Sequence, residues 1–344
     1  MVYELEEKLS KSMKALRINK TPADQYELAT IPIPKAEGTK VLIKIGSAGL
    51  CHTDLVVLNG GFGGGLPLTG SHEPAGTIVE LCDRALEING GLKIGDRVVA
   101  LFHQDLCGTC SDCKFGDWKY CSHSKYGGIT TDGYFAEYAL VEAKSCVIIP
   151  DSMSFEQAAP LTCAGVTAYT AIKKANLKPG QIIAISGLGA VGSLGVQMAK
   201  EIGLKVVAID VRPEPIELVN SFELKPDLII NRYEGWEGVD VTLLVADPPA
   251  SHSYGAAITR KHGTLILVSG PLQGIKLEFT DLLFKDLCLK GSLHGNAVDL
   301  KETIDLCSKS NTKSHIKKFH IEEHKKMLRE TEKKESKGKI VVTF

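Results

Sequence analysis

No stretch of this chain reaches the ~18 consecutive apolar residues that a membrane-spanning helix needs, so no membrane span is expected. Excess charge is missing as well: 40 Lys and Arg against 41 Asp and Glu leave a formal net charge of −1. Without a global field of either sign, nothing recruits nucleic acid or an anionic bilayer. The opening "MVYELEEKLSKSMKALRINK" is studded with acids and lysines and lacks the apolar block of a secretory signal. Internal repeats and low-complexity linkers are absent too. What these absences leave is a cytoplasmic globular protein, and 344 residues suit two domains better than one small core.

Two kinds of pattern divide the chain. From about residue 40 to 150, short apolar bursts such as "KVLIKIGSAG", "AGTIVELC", "DRVVALF" and "AEYALVEA" are separated by turn residues, with little helical periodicity. That half reads as mostly β. From about residue 155 the runs "QIIAISG", "KVVAIDV", "DLIIN", "VDVTLLVAD" and "GTLILVSG" are apolar on both faces, with helix-length segments between most of them. Such runs predict a parallel sheet covered by helices on both sides. With "CLKGSLHG" as a sixth strand, the expected architecture is α/β and doubly wound. After residue 299 the lysine- and glutamate-rich "IEEHKKMLRETEKKESKGK" reads as the wet face of an amphipathic helix, because its acids and bases interleave. The terminal "IVVTF" reads as a strand returning to the β-rich half. The expected boundaries are 1–155 with 298–344 for one domain and 156–297 for the other.

"GLGAVG", residues 187–192, follows a predicted strand and opens a predicted helix, the context that this glycine pattern needs to mean anything. Gly187 permits the tight turn, Gly189 lets a pyrophosphate approach the backbone, and Gly192 brings the helix against the sheet. With Leu188, Ala190 and Val191 they form the expected phosphate cradle, whose N–H groups face the ligand at the helix N-terminus. Asp210 ends the next strand, about 20 residues on, where a carboxylate accepts ribose hydroxyls and repels a 2′-phosphate. The expected cofactor is therefore NAD. Arg212, two residues later, pulls toward NADP.

Ten cysteines in a reducing compartment point to metal or catalytic use rather than to disulfides. Cys107, Cys110, Cys113 and Cys121 have the spacing C-x2-C-x2-C-x7-C, in which two-residue gaps let thiolates converge on one tetrahedral ion. Four thiolates saturate zinc and leave no open position, so this site is expected to be structural. The spacing matches neither common ferredoxin run. A catalytic zinc wants three protein donors and a free position. Cys51 in "GLCHTDL", His72 and Glu73 in "GSHEPAG" and Cys163 in "LTCAGVTAY" are candidate donors, too dispersed for spacing to connect them.

These three motifs, the four-cysteine lobe and "GLGAVG" occur in the order found in the zinc-dependent medium-chain alcohol dehydrogenases, and the chain resembles that family over nearly its whole length. The resemblance implies a β-rich GroES-like catalytic domain beside the Rossmann coenzyme domain, and two zinc ions per subunit. It implies that Cys51, His72 and Cys163 bind the catalytic zinc, with Glu73 behind it and able to enter the coordination sphere. It implies that Asp54 orients His72, that Thr53 takes the alcohol proton, and that His52 lies near the pyrophosphate. Leu58 and Phe102 stand where yeast-like members narrow the substrate pocket with tryptophans; His103 receives no role. The chain is similar to the shorter members, usually homotetramers, with a strand near residue 290 pairing subunits; a homodimer is the other expectation. The expected partner is a small alcohol, aldehyde or ketone, with no nucleic acid or membrane.

Two positions depart from the family pattern. Val56 stands where many members end the proton relay in histidine, and valine cannot carry a proton. Ala297 stands where members commonly place an arginine that pairs with the coenzyme phosphates. These departures keep open a nucleotide-binding relative that has lost catalysis. A polyol dehydrogenase is the nearer rival, but Cys163 as third donor and the intact lobe favour the alcohol branch. The ligands disfavour a zinc-free quinone or enoyl reductase.

Overall fold

The computed structural model describes residues 2–4, 10–233, 238–269, 274–332 and 337–344. Gly270, at the end of the expected strand "GTLILVSG", and residues 333–336 of the charged run lie outside the described residues. The chain divides into two units, one of residues 1–163, 296–304 and 315–344 and one of residues 164–295 and 305–314. Residues 305–314, assigned from the sequence to the first domain, cluster with the second unit.

In the first unit an eight-stranded sheet has the order Cys146–Ile148, Arg97–Ala100, Glu73–Cys82, Lys40–Leu50, Lys339–Thr343, Ile316–His320. Val2–Glu4 adds to Glu73–Cys82, and Tyr138–Glu142 adds to Lys40–Leu50. The pairings are antiparallel except between Ile316–His320 and Lys339–Thr343, so the terminal strand does return to the β-rich half. β-Branched residues suit these pleated, buried surfaces. Ile43, Ile45, Ile78, Val98, Val141 and Val342 pack into one core cluster with Tyr134 and Phe135. Burying each aliphatic side chain of that kind contributes roughly 1.5–3 kcal/mol before chain entropy is subtracted. The pairing register matters most for function. Gly49 lies opposite Glu73 on one neighbour and opposite Val341 on the other. Three strand ends thus meet: the residue after Leu50 is Cys51, the residue before Glu73 is His72, and the third strand begins at Lys339.

The second unit is a six-stranded parallel sheet in the order Leu228–Ile230, Lys205–Ile209, Ile182–Ser186, Val239–Leu244, Thr259–Leu267, Cys288–Gly291. Numbered along the chain, that order is 3-2-1-4-5-6, the doubly wound dinucleotide arrangement. All five runs identified from their two-sided apolar character contain strands, and so does "CLKGSLHG", the added sixth, whose strand Cys288–Gly291 is exposed. Helices Ala164–Ala175, Ala190–Glu201, Pro213–Asn220, Pro249–Ile258 and Phe279–Phe284 belong to this unit. The charged run near the C-terminus contains helix His324–Glu332, which buries Met327 and Leu328 in the first unit's core. No helix among the described residues is long and apolar enough to cross a membrane.

Candidate metal centres and dinucleotide cradle

The four-cysteine lobe is closed by short elements. Cys110 caps helix Ser111–Phe115, its sulfur accepting the Cys113 N–H at 3.4 Å, and the Cys107 sulfur accepts the Cys110 N–H at 3.4 Å. All four sulfurs lie within 4.8 Å of one another, with Cys107–Cys113 at 3.9 Å and Cys121–Cys107 at 3.6 Å. Zinc–sulfur bonds of ~2.3 Å in a tetrahedron require sulfur–sulfur edges of about 3.8 Å, so the arrangement fits zinc without rearrangement. The thiol chemistry agrees. Backbone N–H groups of Cys110 and Thr109 bring Cys107 down to about 5, whereas burial pushes Cys113 up to about 12. Four adjacent sulfurs cannot all ionise until a cation joins them.

A second cluster gathers residues far apart in sequence. Donor atoms of Cys51, His72, Glu73 and Cys163 all lie within 4.8 Å of one another, and His72 Nε2 is 3.3 Å from Cys163 Sγ. Cys51 is the N-cap of helix His52–Leu58, and its N–H donates to Asp54 Oδ2 at 2.7 Å. The other Asp54 oxygen, 3.1 Å from His72 Nδ1, takes that ring N–H. One buried carboxylate therefore shapes the helix start and directs the free Nε2 lone pair toward the sulfurs. Gly49 is required here, since a Cβ at that position would come within 1.9 Å of Glu73 Oε2.

The charges around this cluster call for a cation. Cys163 donates to Cys51 and holds it well below the usual thiol value; Cys163, as the donor and buried, is raised well above it. Only one thiolate is supported by the protein alone, and a divalent ion would support both. Burial works against His72 protonation, yet Asp54 and the Cys51 sulfur outweigh it and carry the imidazole well above its ordinary value. Burial lifts Glu73 to about 7 against the pull of Lys339. Glu73 Oε2 is buried and has no hydrogen-bond partner among the described residues. An unpartnered carboxylate oxygen beside two sulfurs and an imidazole is the donor set of a metal site, and zinc fits it.

Lys339 was not foreseen. Its ammonium donates to Glu73 Oε1, and the side chain is only 5% exposed. Burial works against its charge, but Cys51, Glu73 and Cys163 together hold its pKa well above the ordinary lysine value. In the sequence it sits in "KESKGKIVVTF", where a lysine reads as one more solvated charge.

Of the other expected site residues, Thr53 is half-buried with Oγ1 4.0 Å from Cys51 Sγ, and His52 on the preceding position is exposed. Phe102 packs edge-on against the His72 ring at 5.3 Å and stacks on His103 at 4.5 Å. Leu58 is 4% exposed and packs into the core of the first unit. Val56 lies in helix His52–Leu58 and is half-buried. Ala297 is the first residue of helix Ala297–Lys309, whose entry is fixed by reciprocal bonds of 3.0 Å between Asn296 and Asp299.

The glycine turn of the second unit divides its labour. Gly187 has φ +107°, and a Cβ there would come within 2.7 Å of the Ala246 nitrogen. A Cβ at Gly192 would come within 1.8 Å of the Gly187 carbonyl oxygen. Internal packing therefore demands both. Around Gly189 nothing lies within 4 Å of such a Cβ, so this is the open side of the turn. Helix Ala190–Glu201 begins there with no side-chain cap, leaving the N–H groups of Ala190 and Val191 available to an anion. Leu188 is buried, and its N–H donates to Asp210 Oδ2 at 2.8 Å. The cradle fits a dinucleotide phosphate.

Known proteins match both parts of the chain. Residues 37–151 match the family model for an alcohol dehydrogenase GroES-like domain, and residues 190–309 match the one for a zinc-binding dehydrogenase. An alcohol dehydrogenase of Geobacillus stearothermophilus is 31% identical over 339 residues, 96% of this chain and 98% of that one. The structure of acetophenone reductase from Geotrichum candidum in complex with NAD superposes with a TM-score of 0.86 at 26% identity, covering 98% and 99% of the two chains. A cobalt- and zinc-bound thermostable alcohol dehydrogenase from Pyrobaculum aerophilum superposes with a TM-score of 0.84 at 25% identity, covering 97% and 100%.

Proposed function

The chain belongs to the zinc-dependent medium-chain alcohol dehydrogenase family, and from that premise we propose that it is an NAD-dependent alcohol dehydrogenase carrying two zinc ions per subunit. It interconverts a primary or secondary alcohol with its aldehyde or ketone. The observation that carries this reading is the convergence of Cys51, His72, Glu73 and Cys163 donor atoms within 4.8 Å. The direct test is NAD-linked turnover across primary, secondary and aromatic alcohols, with the matching aldehydes and ketones in reverse.

When bound, zinc supplies a Lewis acid that eases loss of the alcohol proton or polarises a carbonyl, and NAD supplies the hydride acceptor. The chain's residues do the rest. Cys51, His72 and Cys163 hold the ion, and Asp54 keeps His72 in the tautomer that can. Glu73, tethered by Lys339, keeps a buried oxygen in reserve. Thr53 accepts the alcohol proton. Phe102, packed on His72, forms one wall of the substrate space. Leu58, sealed in the core, shapes it only through its packing. Gly189, Ala190 and Val191 take the pyrophosphate, and Asp210 takes the adenosine ribose. Cys107, Cys110, Cys113 and Cys121 hold the structural zinc.

Val56 places no imidazole after Thr53, so the proton stops at the cofactor ribose or drains through water. Turnover of the wild-type protein is expected to rise steeply with pH and with added imidazole at fixed pH, and Val56→His is expected to flatten both. Unchanged profiles in the variant would show that the relay position is irrelevant.

Ala297 offers no cation at the start of its helix. Ala297→Arg is expected to tighten NADH binding by roughly three- to ten-fold, the size of one charge-assisted contact. Titration of the nicotinamide fluorescence reads this directly, and an unchanged or weaker affinity would count against the assignment.

Assembly follows from the edge strand. All four residues of Cys288–Gly291 are exposed at the end of the second unit's sheet, and Phe279, Leu283 and Phe284 are each about two-thirds exposed nearby in sequence. An open edge with apolar neighbours supports pairing with a second copy, as a homodimer or within a homotetramer. Six of the ten cysteines serving as metal donors suits a reducing, cytoplasmic setting.

A further inference from the structure

The carboxylate that should receive the ribose is already full. An ionised Asp has two oxygens and about four lone-pair sites. Asp210 Oδ2 accepts the Leu188 N–H at 2.8 Å and an Nη2–H of Arg212 at 3.0 Å. Asp210 Oδ1 accepts the Arg212 backbone N–H at 3.0 Å and its Nε–H at 3.1 Å. Four donors meet four sites. The Asp210 side chain is 5% exposed, whereas that of Arg212, lying over it, is 51% exposed. The two bonds from the Arg212 guanidinium are the only ones of the four that a side-chain rotation can release without moving backbone.

We propose that Arg212 is a latch on the adenosine end of the cofactor site: its guanidinium occupies the lone pairs of Asp210 that the ribose hydroxyls need, and it must turn outward before they bind. The proposal rests on the dinucleotide reading of the glycine turn and adds a competing internal ligand to it. The backbone bonds from Leu188 and Arg212 keep the carboxylate in place while the latch is open, so the ribose meets an aligned acceptor. Glu214, two residues along in the first turn of helix Pro213–Asn220, contributes a favourable charge interaction with Arg212 and gives the released guanidinium somewhere to go. Affinity for any ligand that needs Asp210 is then reduced by the fraction of molecules with the latch closed.

The test uses the zinc-loaded full chain, its Arg212→Leu variant and its Arg212→Lys variant, titrated with NADH, 5′-AMP and adenosine. Arg212→Leu is expected to bind all three about ten-fold more tightly than the wild type, with Arg212→Lys in between because an ammonium lacks the planar fork. Adenosine is uncharged, so salt acts on its binding only through the protein. Raising the ionic strength loosens the half-exposed ion pair and is expected to tighten adenosine binding to the wild type but not to Arg212→Leu. Circular dichroism of the variants guards against a folding artefact. Equal or weaker binding of NADH and adenosine by a folded Arg212→Leu variant would overturn the latch while leaving the dinucleotide reading in place. Failure of every protein to bind NADH at all would remove that reading, and the latch with it.

Discussion

A Cys163→Ala variant is expected to keep its fold and its affinity for NADH, to lose one of two zinc ions, and to lose about a thousand-fold or more in kcat/KM. The sulfur removed is 3.3 Å from His72 Nε2 and is one of four donors packed within 4.8 Å. Without it, Cys51 and His72 hold a cation with too few ligands for a stable tetrahedral site. Polarising an alcohol or carbonyl oxygen with a bound ion is worth several kcal/mol of transition-state stabilisation, and roughly 4 kcal/mol corresponds to the stated loss. The four-cysteine lobe shares no donor with this cluster and should retain its ion, while the glycine cradle lies in the other unit. Metal analysis after gel filtration, fluorescence titration of NADH and steady-state kinetics read the three outcomes separately. A variant that keeps both ions and most of its turnover would remove Cys163 from the site.

Lys339→Met is expected to be the most damaging single change in stability. The substitution keeps the volume and removes the charge, leaving Glu73 buried at 0% exposure with its nearest cation gone. Breaking a buried pair by removing one partner costs about 3–5 kcal/mol, a large share of a total that is typically about 5–15 kcal/mol. The pH dependence follows from the carboxyl. Glu73 in the folded chain is raised to about 7 from an ordinary 4.5, so its contribution to stability is present below 4.5 and is lost as pH rises through 7. Removing the ammonium raises the folded value further. The deficit of Lys339→Met relative to the wild type should therefore grow between pH 5.5, where Glu73 is neutral in both, and pH 8, by up to about 1.4 kcal/mol, the worth of the one pH unit above 7. Thermal unfolding of the two proteins at both pH values checks this, with Lys339→Arg as a charge-retaining control. Equal melting at pH 8 would mean that the buried pair contributes nothing.

How much of this was legible in the sequence depended on how local each signal is. The parallel strands announced themselves because burial on both faces forces unbroken apolar runs such as "QIIAISG" and "GTLILVSG". The lobe was legible because its four donors fall within fifteen residues, and the cradle because its glycines recur at fixed spacing between a strand and a helix, Gly192 being forced by the Gly187 carbonyl within the motif and Gly187 by the backbone of Ala246 outside it. The second metal cluster has no such locality. Cys51, His72 and Cys163 are joined only by the antiparallel register of Lys40–Leu50 with Glu73–Cys82 and by the chain's later passage at Cys163, so only family resemblance connected them. Lys339 was invisible for a sharper reason: its burial depends on a strand that pairs with residues nearly three hundred positions earlier. Asp210 was placed correctly as a strand-end carboxylate, but the four donors that fill it arise from a side-chain conformation, which no sequence pattern encodes. Leu58 was assigned to a pocket on alignment, whereas helix His52–Leu58 turns it into the core. The extent of the first domain was read from a change of pattern near residue 298, but helix Ala297–Lys309 runs from one unit into the other.

One measurement bears most directly on the whole account: an anomalous-scattering map of the zinc-loaded crystal at the zinc edge. Two peaks per chain are predicted, one among the four lobe sulfurs and one bounded by Cys51, His72 and Cys163. A map with density in the lobe alone, from protein that oxidises alcohols with NAD at full rate, would contradict the assignment of those three residues as the ligands on which the chemistry depends.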